Sequence, residues 1–167
     1  YNFMAAIATA LAVGFDIEKS IKILEKVPGV AGRFEIVNTN PTVIVDYAHT
    51  PDGLENVLKA ARGITPLNGK LTYVFGCGGD RDATKRPKMG KIAAMLSDIV
   101  VVTTDNPRTE IPEMIINDIL EGTKDGNAEI ITVIDRSEAI AKAISIAKKG
   151  DTILLAGKGH ETYQILN

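Results

Sequence analysis

From Phe34 onward, short apolar runs alternate with longer amphipathic stretches, and this rhythm constrains the chain more than any other feature. The runs are Phe34–Val37, Val43–Tyr47, Leu71–Phe75, Ile99–Thr103, Ile130–Ile134 and Thr152–Ala156. Residues 52–62, 87–96, 112–124 and 137–148 carry the helical spacing of apolar positions. Strands too short and too apolar to show a polar face, each followed by a helix, predict a mostly parallel sheet buried on both sides. No helix separates the first run from the second, so the first strand is expected as an antiparallel edge. With right-handed crossovers the pattern predicts an α/β fold with a Rossmann-like, doubly wound, mostly parallel six-stranded sheet.

The residues before Phe34 follow another pattern. Residues 2–13 are nearly all small or apolar, and Gly14 stops them. Asp16 is placed to cap a second helix over Ile17–Val27, which Pro28-Gly29 ends. Two such helices cannot build a core, so residues 1–33 are expected to be the tail and linker of a preceding domain, with the α/β domain at 34–167. The chain then reads as a fragment. Its start, Tyr1-Asn2-Phe3-Met4, lacks the basic region of a signal peptide. The net charge of −2 offers no broad basic surface, so nucleic acid is not an expected partner. A single cysteine, Cys77, excludes an internal disulfide and fits a reducing compartment, and no apolar run reaches the length of a membrane span. A cytoplasmic protein without membrane contact is the expectation.

The polar signals sit where such a sheet needs them. Asp46-Tyr47-Ala48-His49-Thr50-Pro51, Gly76-Cys77-Gly78-Gly79-Asp80-Arg81-Asp82, Asp105-Asn106-Pro107-Arg108 and Gly157-Lys158-Gly159-His160-Glu161 each follow a strand, so four loops converge on one rim. The loop after the fifth strand carries only Asp135 and Arg136, which a helix cap explains. In the tetrad, Arg108 offers a planar fork for a carboxylate, Asn106 donates and accepts, and Asp105 supplies a negative charge. The glycines of the second loop match neither dinucleotide fingerprint nor phosphate loop; they are expected to let the backbone bend so that Arg81 faces the rim. Gly159 permits a left-handed turn that aims Glu161 back at the rim, toward an ammonium. Lys158 either neutralises a phosphate or is solvated. Two histidines and one cysteine make no metal site. Arg81 and Arg108 for carboxylates and Glu161 for an amine describe the recognition of an amino acid with an extra carboxylate. No nucleophile–base pair stands out, which disfavours a hydrolase.

These motifs, together with Gly32-Arg33-Phe34-Glu35 and Lys85-Arg86-Pro87, closely resemble the Mur ligase family over essentially the whole chain. Asp-Tyr-Ala-His is shared loosely across that family; Asp-Asn-Pro-Arg with Gly-Lys-Gly-His-Glu is the more specific pair, that of its diaminopimelate-adding members. The resemblance implies the last helices of a central ATP-binding domain followed by the C-terminal amino-acid-binding domain. It implies that Arg81, Asp105, Asn106, Arg108, Gly157 and Glu161 contact meso-diaminopimelate, and that Arg33, Asp46 and His49 lie near ATP. The implied reaction phosphorylates the γ-carboxylate of UDP-N-acetylmuramoyl-L-alanyl-D-glutamate and lets the diaminopimelate amine attack the acyl phosphate, in peptidoglycan precursor synthesis. ATP and Mg²⁺ would be held mainly by the central domain, whose phosphate loop this sequence lacks. The alternatives are a relative with another acceptor, such as L-lysine, and a non-catalytic module that binds an amino acid or nucleotide.

Overall fold

The chain begins with two helices, α1 (Asn2–Ala12) and α2 (Ile17–Leu24), in the computed structural model, which describes residues 2–166. Asp16 caps α2 by accepting from the Lys19 amide at 2.9 Å. The two helices touch each other, but no residue from Phe3 to Ala31 is buried. Phe3, Met4, Leu11, Phe15 and Ile23 all face outward. The apolar side chains of this segment are therefore presented at the surface of the chain.

The alternating part follows the expected order: β1 (Glu35–Thr39), β2 (Thr42–Asp46), α3 (Pro51–Ile64), β3 (Leu71–Phe75), α4 (Lys85–Leu96), β4 (Ile99–Val102), α5 (Pro112–Thr123), β5 (Glu129–Thr132), α6 (Arg136–Ile146) and β6 (Thr152–Ala156). The six strands form one sheet in the order β1-β2-β6-β3-β4-β5. Only the β1–β2 pair is antiparallel, so the hairpin edge is present as expected. Several boundaries differ from the sequence reading. Helix α4 starts at Lys85 rather than Pro87, α2 stops three residues early, and β5 ends at Thr132. The α4 shift is consequential, because it turns Arg86 inward.

Strand alternation divides the core between two faces. Ile44, Leu71, Tyr73, Phe75, Val100, Val102, Leu154 and Ala156 point to the side covered by α3, α4 and α5. Val43, Val74, Ile99, Val101 and Ile153 point to the other side, against Ala139 and Ala143 of α6. The handedness of the crossovers explains the split. The chain steps in one direction along the sheet from β2 to β5, and right-handed connections put all three helices on one face. It then returns to the middle, so α6 lies on the opposite face. Every parallel strand thus ends at the same rim.

Candidate functional site

The rim loops enclose a cleft of about 290 Å³ lined by Tyr47, His49, Gly76, Cys77, Gly78, Arg81, Lys85, Asp105, Asn106, Arg108, Gly157 and Glu161. The loops after β2, β3, β4 and β6 all contribute, as the strand ends predict. A larger, more open concavity of about 710 Å³ lies at the opposite end of the sheet. At its floor Arg62 pairs with Asp98 at 2.8 Å, and Asp98 also accepts from the Leu71 amide at 2.7 Å. The smaller cleft, where charged groups face open space, is the candidate site.

One wall is a pair of interlocked loops, residues 76–84 and 103–111. Their backbones approach so closely that no side chain fits between them. A Cβ on Gly76 would lie 2.2 Å from the Thr103 carbonyl oxygen, and one on Gly79 only 1.8 Å from that of Pro107. Besides the bend expected of them, Gly76 and Gly79 serve this close contact, and the left-handed backbone of the loop falls on Asp80, at φ 53°. The Gly79 amide donates to the Asn106 carbonyl at 2.9 Å, and Asp80 accepts from the Thr109 hydroxyl at 2.6 Å. Buried Arg86 clamps the pair from below, with Glu110 at 2.8 Å and Asp118 at 2.9 Å. Its charge holds the Glu110 carboxyl below the ordinary range.

Arg108 projects from this wall. Its backbone is left-handed, at φ 54°, a conformation costly for a residue with a Cβ. One guanidinium nitrogen donates to the Gly79 carbonyl at 2.7 Å. No carboxylate pairs with it among the described residues, so the rest of the fork is available to the cleft. Arg81 is exposed and donates to the Asp80 carbonyl at 3.0 Å. Its neighbours Asp80 and Asp82 are occupied elsewhere, by Thr109 and Thr84. Asp105 lies beside Gly157, where an added Cβ would come 2.9 Å from its carboxylate.

The other wall is the loop after β6. Gly157 and Gly159 adopt φ 104° and 52°, and the turn brings Glu161 into the cleft. Tyr47 donates its hydroxyl to Glu161 Oε1 at 3.3 Å, and the charge on that carboxylate raises the Tyr47 pKa. Lys158 is neither solvated nor placed to meet a phosphate, contrary to both sequence readings. It is buried, 2.9 Å from Glu161 Oε2 and 2.9 Å from Asn106 Oδ1.

The three residues assigned to the nucleotide side gather around Tyr47. Arg33 is exposed, with its guanidinium 4.4 Å from the Tyr47 ring centroid. The His49 ring stands edge-on to Tyr47 at 4.9 Å and donates from Nδ1 to the Tyr47 carbonyl at 2.9 Å, which fixes its tautomer. Asp46 acts on the backbone around it, its two oxygens accepting from the amides of Phe34 and Ala48, each at 2.7 Å. It thereby holds Phe34 at φ 48° beside the cleft.

Two residues have places that the sequence reading did not assign to them. Lys85 lines the cleft as a third cation; placing the start of α4 two residues late hid it. Arg136 is not explained by a helix cap, which Asp135 supplies by accepting from the Glu138 amide. Its guanidinium donates to the carbonyls of Thr104, at 3.3 Å, and Ala156, at 2.9 Å, tying the ends of β4 and β6 together. Among the described residues no group of three or more His, Cys, Asp or Glu side chains is arranged to hold a metal ion, and no helix is long and apolar enough to cross a membrane.

The profile of the Mur ligase glutamate ligase domain matches residues 32–159. The UDP-N-acetylmuramoyl-L-alanyl-D-glutamate–2,6-diaminopimelate ligase of Thermosynechococcus vestitus is 56% identical over 99% of this chain and 33% of its own length. That of Trichormus variabilis is 55% identical over 99% and 34%. A solved structure of a ligase with the same name superposes with a TM-score of 0.76 at 41% identity, covering 98% of this chain and 34% of that one. Escherichia coli FolC in complex with ADP superposes with a TM-score of 0.66 at 25% identity, over 90% and 35%. This chain spans about a third of the length of the relatives it matches, and it belongs to the Mur ligase family, by way of that family's glutamate ligase domain.

Proposed function

We propose that this chain is the acceptor-binding part of an ATP-dependent ligase that joins meso-diaminopimelate to UDP-N-acetylmuramoyl-L-alanyl-D-glutamate in peptidoglycan precursor synthesis. One observation carries the reading: Arg108, a fork without a carboxylate partner among the described residues, and Glu161 line the same cleft. Together they suit the two charged groups at the distal end of a diamino diacid. Asn106 adds amide donors, Arg81 a further cation, and Asp105 and the Gly157 carbonyl acceptors for an ammonium. L-Lysine has no distal carboxylate and would leave the half-buried Arg108 fork unpaired, a discrimination that polar sites make well.

The work of this part is positioning. It holds the nucleophilic amine toward an acyl phosphate formed against the rest of the enzyme. Arg33, Tyr47 and His49 form a cationic and aromatic ledge at the cleft's edge that suits a nucleoside, and a FolC structure similar to this chain is a complex with ADP. ATP phosphates and Mg²⁺ require a phosphate loop, so they fall to a preceding domain, of which residues 1–33 are the end. Asp46 serves that ledge through Phe34 and Ala48 rather than by direct contact. The setting is the cytoplasm, where the nucleotide precursor is made.

Calorimetric titration of the chain with meso-diaminopimelate and with L-lysine tests the assignment. Diaminopimelate should bind more tightly, and Arg108→Ala should remove about 2–4 kcal/mol of that binding, roughly 30- to 1000-fold. Preference for lysine, or an Arg108→Ala variant that binds as the parent does, refutes it.

A further inference from the structure

We infer that Lys158 is a positioning residue for the acceptor: from behind the cleft, its ammonium sets the orientation of Asn106 and Glu161 so that an amide donor and a carboxylate oxygen face the ligand. The inference rests on the amino-acid-binding reading above and adds a residue to it.

Lys158 sits between two glycines with left-handed backbones, Gly157 at φ 104° and Gly159 at φ 52°. That turn throws the side chain inward, where only 11% of it stays exposed. The ammonium has two oxygen acceptors within hydrogen-bond distance and an aromatic ring within cation–π range. Asn106 Oδ1 lies at 2.9 Å, Glu161 Oε2 at 2.9 Å, and the Tyr163 ring centroid at 5.1 Å. These contacts hold the ammonium behind the cleft, on the far side of Asn106 and Glu161 from the ligand. Lys158 does not line the cleft; it lines a separate surface hollow beside α6 and the tail, with Arg136, Tyr163 and Gln164.

The consequence falls on the two groups that do line the cleft. Asn106 Oδ1 accepts from Lys158 and also from the Ile165 amide at 2.8 Å, which consumes its acceptor capacity on the far side. The amide NH₂ is then the end left for the cleft, the form a ligand carboxylate needs. Glu161 commits Oε2 to Lys158 and keeps Oε1 on the Tyr47 side, where the 3.3 Å hydroxyl contact is long and easily supplemented by a ligand ammonium. The same ammonium keeps Glu161 ionised: its carboxyl is held below the ordinary range chiefly by the Lys158 hydrogen bond, against the burial that pushes it up. The groups facing Glu161 are Lys158, Tyr47 and Asn106; Arg33 lies farther off, over the Tyr47 ring. Without Lys158, a buried and a largely buried oxygen lose a donor, the Asn106 amide is free to flip, and Glu161 is free to protonate.

Lys158→Met keeps the stem and removes the charge; Lys158→Arg keeps a donor cation. The test compares both with the parent by calorimetric titration with meso-diaminopimelate and with 2-aminopimelate, which lacks the distal amine. Lys158→Met should weaken diaminopimelate about 10- to 30-fold, change 2-aminopimelate several-fold less, and lose its diaminopimelate binding at a higher pH on acidification. Lys158→Arg should recover most of the loss. Equal losses for both ligands, or a Lys158→Met variant that binds as tightly as the parent, overturns the inference. Carboxyl-carbon NMR titration of Glu161 reads the same point without ligand: its pKa should rise in Lys158→Met, and an unmoved titration also overturns it. A parent chain that binds no diaminopimelate refutes the substrate reading, and the Glu161 titration still decides the role of Lys158.

Discussion

Replacing Arg86 by methionine should unfold the chain's most connected corner while leaving its apolar packing nearly intact. The side chain is only 3% exposed, and it holds Glu110, Asp118 and the Gly78 carbonyl at 2.8, 2.9 and 3.3 Å. Removing one member of a fully buried pair costs about 3–5 kcal/mol. Here the partners are 32% and 46% exposed, so both carboxylates regain water when the guanidinium goes. The 3.3 Å bond adds little. The expected cost is therefore lower, about 2–4 kcal/mol, still a large share of the stability of a single domain. In urea the midpoint should fall by about 1–2 M with little change in slope. The pH dependence gives a second reading. Arg86 lowers the folded-state pKa of Glu110, so that contribution is present above pH 4.5 and is lost as pH falls through the folded value. The acid limb of the parent's stability curve should flatten in Arg86→Met. A loss under about 1 kcal/mol, or an acid limb identical to the parent's, refutes the clamp.

Gly79→Ala places a methyl 1.8 Å from a backbone oxygen that has nowhere to go, so the two loops must part. A loss of about 2–3 kcal/mol in a thermal melt, with loss of amino-acid binding, is expected; parent-like values would show that the loops are not interlocked. Burial pushes the Cys77 thiol from 9.0 up to about 12. Alkylation in native buffer at pH 8 should therefore be slow and should accelerate with unfolding; rapid labelling of the folded chain would contradict this. Because the folded value is the raised one, the thiol's contribution to stability is complete below pH 9.0 and declines toward pH 12, which a denaturation series in alkali measures.

The strands and the rim were legible because both rest on local pattern. Buried parallel strands leave uninterrupted β-branched runs such as Ile99-Val100-Val101-Val102, and loops that carry ligands stay polar wherever the strands end. The antiparallel edge was legible too, since residues 38–41 leave no room for a crossover. What escaped depends on contacts distant in sequence. Lys158 reads as a surface residue until the backbone of its two flanking glycines turns it under Asn106, 52 positions away. Arg136 looks like part of a helix cap until the sheet brings the ends of β4 and β6 within its reach. The second loop's glycines read as a bend, and their close contact with the facing loop was missed, because a sequence does not show which backbone lies across from a glycine. Helix α1 differs again: its apolar composition records that a surface is to be covered, and within this chain it stays exposed.

The position of β6 orders events during synthesis. β6, the last of the six strands in sequence, lies in the middle of the sheet, between β2 and β3. Until it arrives, those two strands present facing open edges, an invitation to pair with another chain. The amino-acid cleft is in the same position, since Gly157 and Glu161 follow β6 directly. A chain that stops short of β6 lacks the strand that joins β1-β2 to β3-β4-β5, and the same five residues lead directly into Gly157 and Glu161 of the cleft.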